Sequence, residues 1–160
     1  MRLVVIGRQG RLARSLQERA AGFADINLVL SGRPEIDSES LNQLRSAIHS
    51  LSPDAVLTAA AHTAVGQAED EPERAWACNA DAPAVLAQVT AELGVPMIHI
   101  STDYVFAGSK PGAYRENGLT DPIGIMGNRS WSANSGSGRA IAPRASCGLP
   151  GCSVFSLETS

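Results

Sequence analysis

The chain has 160 residues, 44% of them hydrophobic and 18% charged, with a formal net charge of −3. That length suits one domain with a buried core. The weak negative charge, with no Lys/Arg cluster, argues against nucleic acid as a partner. No apolar run approaches a membrane span, and residues 2–6 are too short for a secretory signal, so a cytoplasmic location is expected. Cys78, Cys147 and Cys152 have neither metal-ligand nor CxxC spacing. No metal site and no disulfide framework are expected from them.

In chain order, "RLVVI" (2–6) is a short apolar run that stops at a glycine, as a strand buried on both faces would. "RLARSLQERAA" (11–21) has Leu12 and Leu16 one helical turn apart and polar residues elsewhere, which predicts an amphipathic helix. "INLVLSG" (26–32) reads as a second strand. A second helix is predicted from about Ser38 to Leu51, carried by Leu41, Leu44 and Ile48. "DAVLTAAA" (54–61) reads as a third strand. Residues 67–94 are helical in character, with Pro72 and Pro83 at first-turn positions splitting the segment and Gly94 as its C-terminal cap. "PMIHISTD" (96–103) reads as a fourth strand.

Strands alternating with helices predict an α/β fold of the Rossmann-like, doubly wound kind, with a parallel sheet. It is incomplete, with four N-terminal strands. Ligands of such sheets lie beyond the carboxyl ends of the strands. That rule directs attention to the loops after residues 6, 31, 59 and 101. From about Asn128 the composition turns to Ser, Gly, Arg, Ala, Pro and Cys, and periodicity stops. An irregular tail is expected there, with a weak apolar hint at "CSVFSL" (152–157).

The first loop, "GRQGRLA" (7–13), matches G-x-x-G-x-x-A between a strand and a helix. Gly7 permits the tight turn, Gly10 lets a pyrophosphate approach the backbone, and Ala13 permits close helix–strand packing. The helix N-terminus then faces the anion. Where NAD sites place an acid after the second strand, this chain has "SGR" (31–33). Arg33, with Arg8 nearby, favours a 2′-phosphate and hence NADPH, with NADH as the alternative; a solvated surface arginine explains Arg33 equally well. In "TAAAHTAV" (58–65) the alanines leave room for a flat ring or sugar, and His62 is placed to reach a ribose. "HISTDYVFAG" (99–108) sets Ser101, Thr102 and Asp103 where a substrate would lie. Thr102 suits a carbonyl and Asp103 a hydroxyl or a neighbouring loop. Tyr104 and Phe106 suit packing, and His99 suits a hydrogen-bonded core position.

Together "GRQGRLARSL", "AAAHTAVGQAE", "NADAPAVLA", "HISTDYVFAG", "YREN" and "TDPIGIMG" resemble the dTDP-4-dehydrorhamnose reductase family of extended short-chain dehydrogenase/reductases. The resemblance runs from residue 1 to about 127. It implies an NAD(P)-binding Rossmann domain over 1–127, followed by a low-order tail over 128–160. It implies NADPH-dependent reduction of a dTDP-linked keto sugar, dTDP-4-dehydrorhamnose, to dTDP-L-rhamnose. It places cofactor contacts at Gly7, Gly10, Arg11, Leu12, Ala60, Ala61 and His62, and catalytic or substrate positions at Thr102 and Asp103. The intact family allows a homodimer.

One departure from the family pattern stands out. The family places a Tyr-x-x-x-Lys pair on a helix, the Tyr giving a proton to the carbonyl oxygen. In this sequence Met126 and Ser130 occupy those positions. A thioether donates no proton, and a hydroxymethyl carries no charge to lower a Tyr pKa from its usual value near ~10. Loss of general acid catalysis costs roughly 10²–10⁴ in rate. A shifted reading frame is the expected origin of the change, with a naturally divergent tail as the alternative. With codons ATT ATG GGC AAT CGA AGC TGG for Ile125 to Trp131, reading from the last base of the first codon gives Tyr-Gly-Gln-Ser-Lys-Leu. A similar shift at "ASCGLPGCS" (145–153) gives a family-like strand. The chain is thus expected to be impaired or inactive, and its fourth strand to show an unpaired apolar edge. The alternatives are a non-catalytic, regulatory nucleotide-binding module of the same family and a non-functional fragment.

Overall fold

The computed structural model of the chain describes residues 1–64, 70–101, 106–109, 111, 114, 121, 145–146 and 153–157. Strands β1 (Arg2–Ile6), β2 (Asn27–Ser31), β3 (Ala55–Thr58) and β4 (Met97–Ser101) alternate with helices α1 (Arg11–Ala20), α2 (Leu41–Leu51), α3 (Pro72–Trp76) and α4 (Ala82–Leu93). Two further strands, β5 (Ala145–Ser146) and β6 (Ser153–Leu157), lie in the tail. The sheet order is β2-β1-β3-β4-β6-β5. Pairings β1–β2, β1–β3 and β3–β4 are parallel, while β6 runs antiparallel to both β4 and β5.

The doubly wound α/β reading therefore holds for the four parallel strands. β1 keeps its predicted bounds, whereas β2 is trimmed by one residue at each end and β3 by one at its start and three at its end, because the hydrogen-bonded ladder is shorter than the apolar run. The chain winds from β1 outward to β2, then returns past β1 to β3. The reversal puts a crevice at the carboxyl ends of β1 and β3, which are in register at Ile6↔Thr58. Successive residues Val4, Val5 and Ile6 are all buried, as expected when both faces of a parallel sheet are covered. Val4, Ile6 and Val56 share one core cluster with Leu44 and Ile48 of α2 and Leu86 and Val89 of α4. Full burial of one such side chain contributes about 1.5–3 kcal/mol.

The expectation of an unpaired β4 edge does not hold. All five residues of β4 face β6, from Met97↔Leu157 to Ser101↔Ser153. The physical reason is that an exposed ladder of N–H and C=O groups recruits any strand-forming segment within reach. The apolar-rich "SVFSL" of β6 is such a segment.

The predicted break at Pro83 is also softer than expected. Pro72 and Pro83 do occupy the first turns of α3 and α4. Between the helices, however, the chain continues as a π-helical turn, Ala77–Asp81, in which the Ala82 N–H donates to the Ala77 carbonyl five residues back. The widened turn accommodates a proline that has no N–H to donate. Gly94 closes α4 with φ 67°, the left-handed cap its residue type anticipates.

Candidate functional site

The crevice at the reversal point holds a cleft of about 330 Å³. Three loops line it: Gly7–Gly10 after β1, Gly32–Arg33 after β2, and Ala59–Ala61 after β3. The structure thus brings together Gly7, Gly10, Arg33, Ala60 and Ala61 of the residues picked from sequence. Ile36, Ser38 and Cys78 complete the wall.

The two glycines of the first loop answer to different constraints. Gly7 has φ +121°, and a Cβ there would lie 2.7 Å from the Ala60 nitrogen and 2.8 Å from the Ala59 carbonyl carbon. The fold itself requires this glycine. Its N–H donates to the Ser31 carbonyl at 2.8 Å, while the Ala59 and Ala60 N–H groups share the Ile6 carbonyl at 2.7 and 2.8 Å. These bonds tie the three loops into one rigid rim. Gly10 has φ −68°, and a Cβ there would meet nothing within 4 Å. Nothing in the described structure calls for a glycine at that position. Space left open at a helix start is what a ligand approaching the backbone needs.

That helix start is α1. Its first intrahelical bond runs from the Arg14 N–H to the Gly10 carbonyl at 3.2 Å. No side chain caps its N-terminus and no acid sits in its first turn. Arg11 and Leu12, also singled out from sequence, form that first turn and offer its N–H groups; neither lines the cleft. A cation at a helix N-terminus opposes the helix dipole. An anion bound there would offset both the dipole and the arginine. Ala13, fully buried, lets α1 pack closely.

His62 follows the alanine loop. Its Nδ1 is buried and has no hydrogen-bond partner among the described residues. The backbone of His62 is held on both sides by Asn79: the N–H donates to Asn79 Oδ1 at 2.8 Å, and Asn79 Nδ2 donates to the carbonyl at 3.0 Å. Asn79 is buried in the π-helical turn, which aims it at this loop. Sequence reasoning missed Asn79. Its one signal was a polar residue inside an otherwise apolar helical segment. Cys78 beside it is buried, as expected, with Sγ 3.6 Å from Ser38 Oγ.

Charges ring the mouth. Arg8 is held by Glu35, both carboxylate oxygens lying 2.6 Å from Nη1. The contact holds the Glu35 carboxyl below its ordinary range, chiefly through that hydrogen bond. Arg33 lies 3.4 Å from Glu39 and 3.9 Å from Asp37. Glu39 also binds Arg74 at 2.8 Å. Arg8, Arg33, Glu35 and Arg74 are exposed and Asp37 and Glu39 half-buried, so the pairs orient side chains more than they stabilise the fold.

His99 is a core residue, as its sequence position suggested. It is buried, its Nδ1 lies 3.4 Å from Thr58 Oγ1, and desolvation lowers its pKa to about 4. Phe106 stacks on Tyr114 with ring centroids 4.5 Å apart, in keeping with a packing role. Thr102, Asp103, Tyr104, Met126 and Ser130 lie outside the described residues, as does the side chain of Ser101. No cluster of metal-ligating side chains occurs among the described residues.

Parallel strands β1 to β4 alternating with helices, with a glycine turn and an uncapped helix start at the reversal point, define a Rossmann-type α/β domain. Comparison with known proteins narrows this. Residues 1–135 match the family described as the RmlD substrate binding domain. The chain is 43% identical over 127 residues to a dTDP-4-dehydrorhamnose reductase of Sinorhizobium fredii, a match covering 79% of this chain and 42% of that protein. Among solved structures, a dTDP-4-dehydrorhamnose reductase of Clostridium acetobutylicum superposes with a TM-score of 0.82 at 25% identity, covering 86% of this chain and 49% of that one. The Bacillus anthracis reductase, solved in complex with NADP, gives 0.79 at 28% identity, with the same coverage. The chain belongs to the dTDP-4-dehydrorhamnose reductase family. It spans less than half the length of the curated relatives cited here and in related matches.

Proposed function

We propose that this chain is the cofactor-binding part of a dTDP-4-dehydrorhamnose reductase, that it binds NADPH in the cleft at the ends of β1, β2 and β3, and that it is impaired in reducing the keto sugar. The observation that carries the binding half is the contrast within the glycine turn. Gly7 is demanded by the fold, whereas no described residue crowds Gly10, which leaves its backbone open to an approaching ligand. The Bacillus anthracis relative with NADP bound supports the choice of cofactor. The residues present fit such a group. Free N–H groups at the start of α1 suit the pyrophosphate. Arg8 and Arg33 at the mouth suit a 2′-phosphate. His62 adjoins the alanine loop without lining the cleft, and its contact with a ribose rests on the family resemblance.

Bound NADPH supplies the hydride; the chain's own residues must orient the keto group and deliver a proton to its oxygen. Thr102 and Asp103, which follow β4, are proposed to meet the sugar. Proton delivery is where this chain falls short, since Met126 and Ser130 stand at the family's Tyr and Lys positions. Removal of a general acid lowers the rate by roughly 10²–10⁴. The shifted reading frame remains the proposed origin of that change, and sequencing the coding DNA around codon 125 tests it. The binding half is tested by titrating the purified chain with NADPH and following nicotinamide fluorescence. Saturable enhancement is expected, and its absence overturns the assignment.

A further inference from the structure

We propose that Glu35 is a specificity-determining residue that competes with the cofactor's 2′-phosphate for Arg8 and so holds the preference for NADPH over NADH below what two arginines would give. The proposal rests on the cofactor reading above. Arg8 and Arg33 both line the cleft, one from the loop after β1 and the other from the loop after β2. The two loops touch: a Cβ on Gly32 would lie 3.2 Å from Arg8 Cβ. Two guanidinium groups converging on one mouth form a phosphate-binding pair.

Each guanidinium is already engaged. Glu35 places both carboxylate oxygens 2.6 Å from Arg8 Nη1. The pairing raises the Arg8 pKa and lowers that of Glu35, so both stay charged at neutral pH. Arg33 is held more loosely, at 3.4 Å from Glu39, and Glu39 is shared with Arg74. A 2′-phosphate entering the mouth therefore meets one arginine with a divided counter-ion and one with a dedicated counter-ion. It must displace Glu35 or accept a carboxylate as neighbour, and either lowers its affinity. A cofactor with a bare 2′-hydroxyl carries no such penalty. The pair is exposed, with side chains 47% and 61% accessible, so exchange of partners needs no opening of the core.

The test uses adenosine-half probes on the full chain, 2′,5′-ADP and 5′-ADP, titrated calorimetrically against the unmodified protein, Glu35→Gln and Glu35→Gln/Arg8→Gln. Glutamine keeps the length and removes the charge at an exposed site. In Glu35→Gln the affinity for 2′,5′-ADP should rise by about fivefold, the order expected when one exposed charge pair is removed. The affinity for 5′-ADP should move less than about twofold. In the double variant most of the gain should vanish, because Arg8 is the group being released. An unchanged 2′,5′-ADP affinity, an equal rise for both probes, or a full gain without Arg8 overturns the proposal while leaving the cleft assignment standing. If neither probe binds any of the three proteins, the cofactor assignment fails and takes the proposal with it.

Discussion

The carboxyl ends of β1 and β3 and the segment beyond β4 divide two tasks between them. The first region is proposed to bind with its backbone. Its chemistry lies in a glycine with φ +121°, an uncapped helix start, small alanines and a loop pinned by Asn79. The second region is proposed to act with side chains, namely Thr102, Asp103 and the residues at 126 and 130. A backbone site depends on the fold and survives most exchanges of side chain. A proton-transfer site fails on a single one. Binding and turnover in this architecture can therefore be lost separately.

The sharpest way to break that comparison is at the glycine turn. Gly7→Ala should destabilise the fold by about 3 kcal/mol or more, because its Cβ would drive into the backbone of Ala59 and Ala60. Urea unfolding measures this, and a loss under about 1 kcal/mol would mean that the turn relaxes easily. Asn79→Ala comes next. It removes both bonds to the His62 backbone, with an expected loss of about 2 kcal/mol and weaker NADPH binding. Wild-type affinity in a destabilised variant would show that the clamp serves only the fold.

A comparable effect should follow from His99. Its folded-state pKa of about 4 lies below the ordinary value of 6.5, so the unfolded chain takes up the proton first as pH falls. The stability due to a neutral His99 is full above pH 6.5 and is lost progressively as pH drops toward 4. The expected loss is about 2 kcal/mol between pH 7 and pH 5. Denaturant titrations at both pH values measure it, with His99→Gln as the control that should flatten this part of the profile. The smallest effect on stability belongs to Gly10→Ala, within about 0.5 kcal/mol, since its Cβ would enter open space. NADPH affinity should nonetheless fall by at least about tenfold, a prediction that separates the ligand's demand from the fold's.

How much was legible beforehand follows the same divide. The glycine turn could be read because a strand precedes it and a helix follows it, although its ties to Ser31, Ala59 and Ala60 could not. Gly94 and Pro72 were legible for the same reason. The Arg8–Glu35 pair was not, since its members are 27 positions apart and only the β1–β2 pairing brings them together. The clamp by Asn79 was hidden because a π-helical turn has no residue signature, although a buried asparagine among alanines was a clue. Capture of the β4 edge by Ser153–Leu157 could not be read because the pairing is long-range, and the apolar character of "CSVFSL" was the sole hint.

The most direct test places both regions in one cuvette. NADPH fluorescence is followed while the purified chain is titrated to saturation, and the dTDP-linked keto sugar is then added. The account predicts a saturable rise followed by a flat trace, with oxidation at least about 10²-fold slower than in an intact reductase of the family. No rise at all, or a rapid decay of the signal once the sugar arrives, would contradict it.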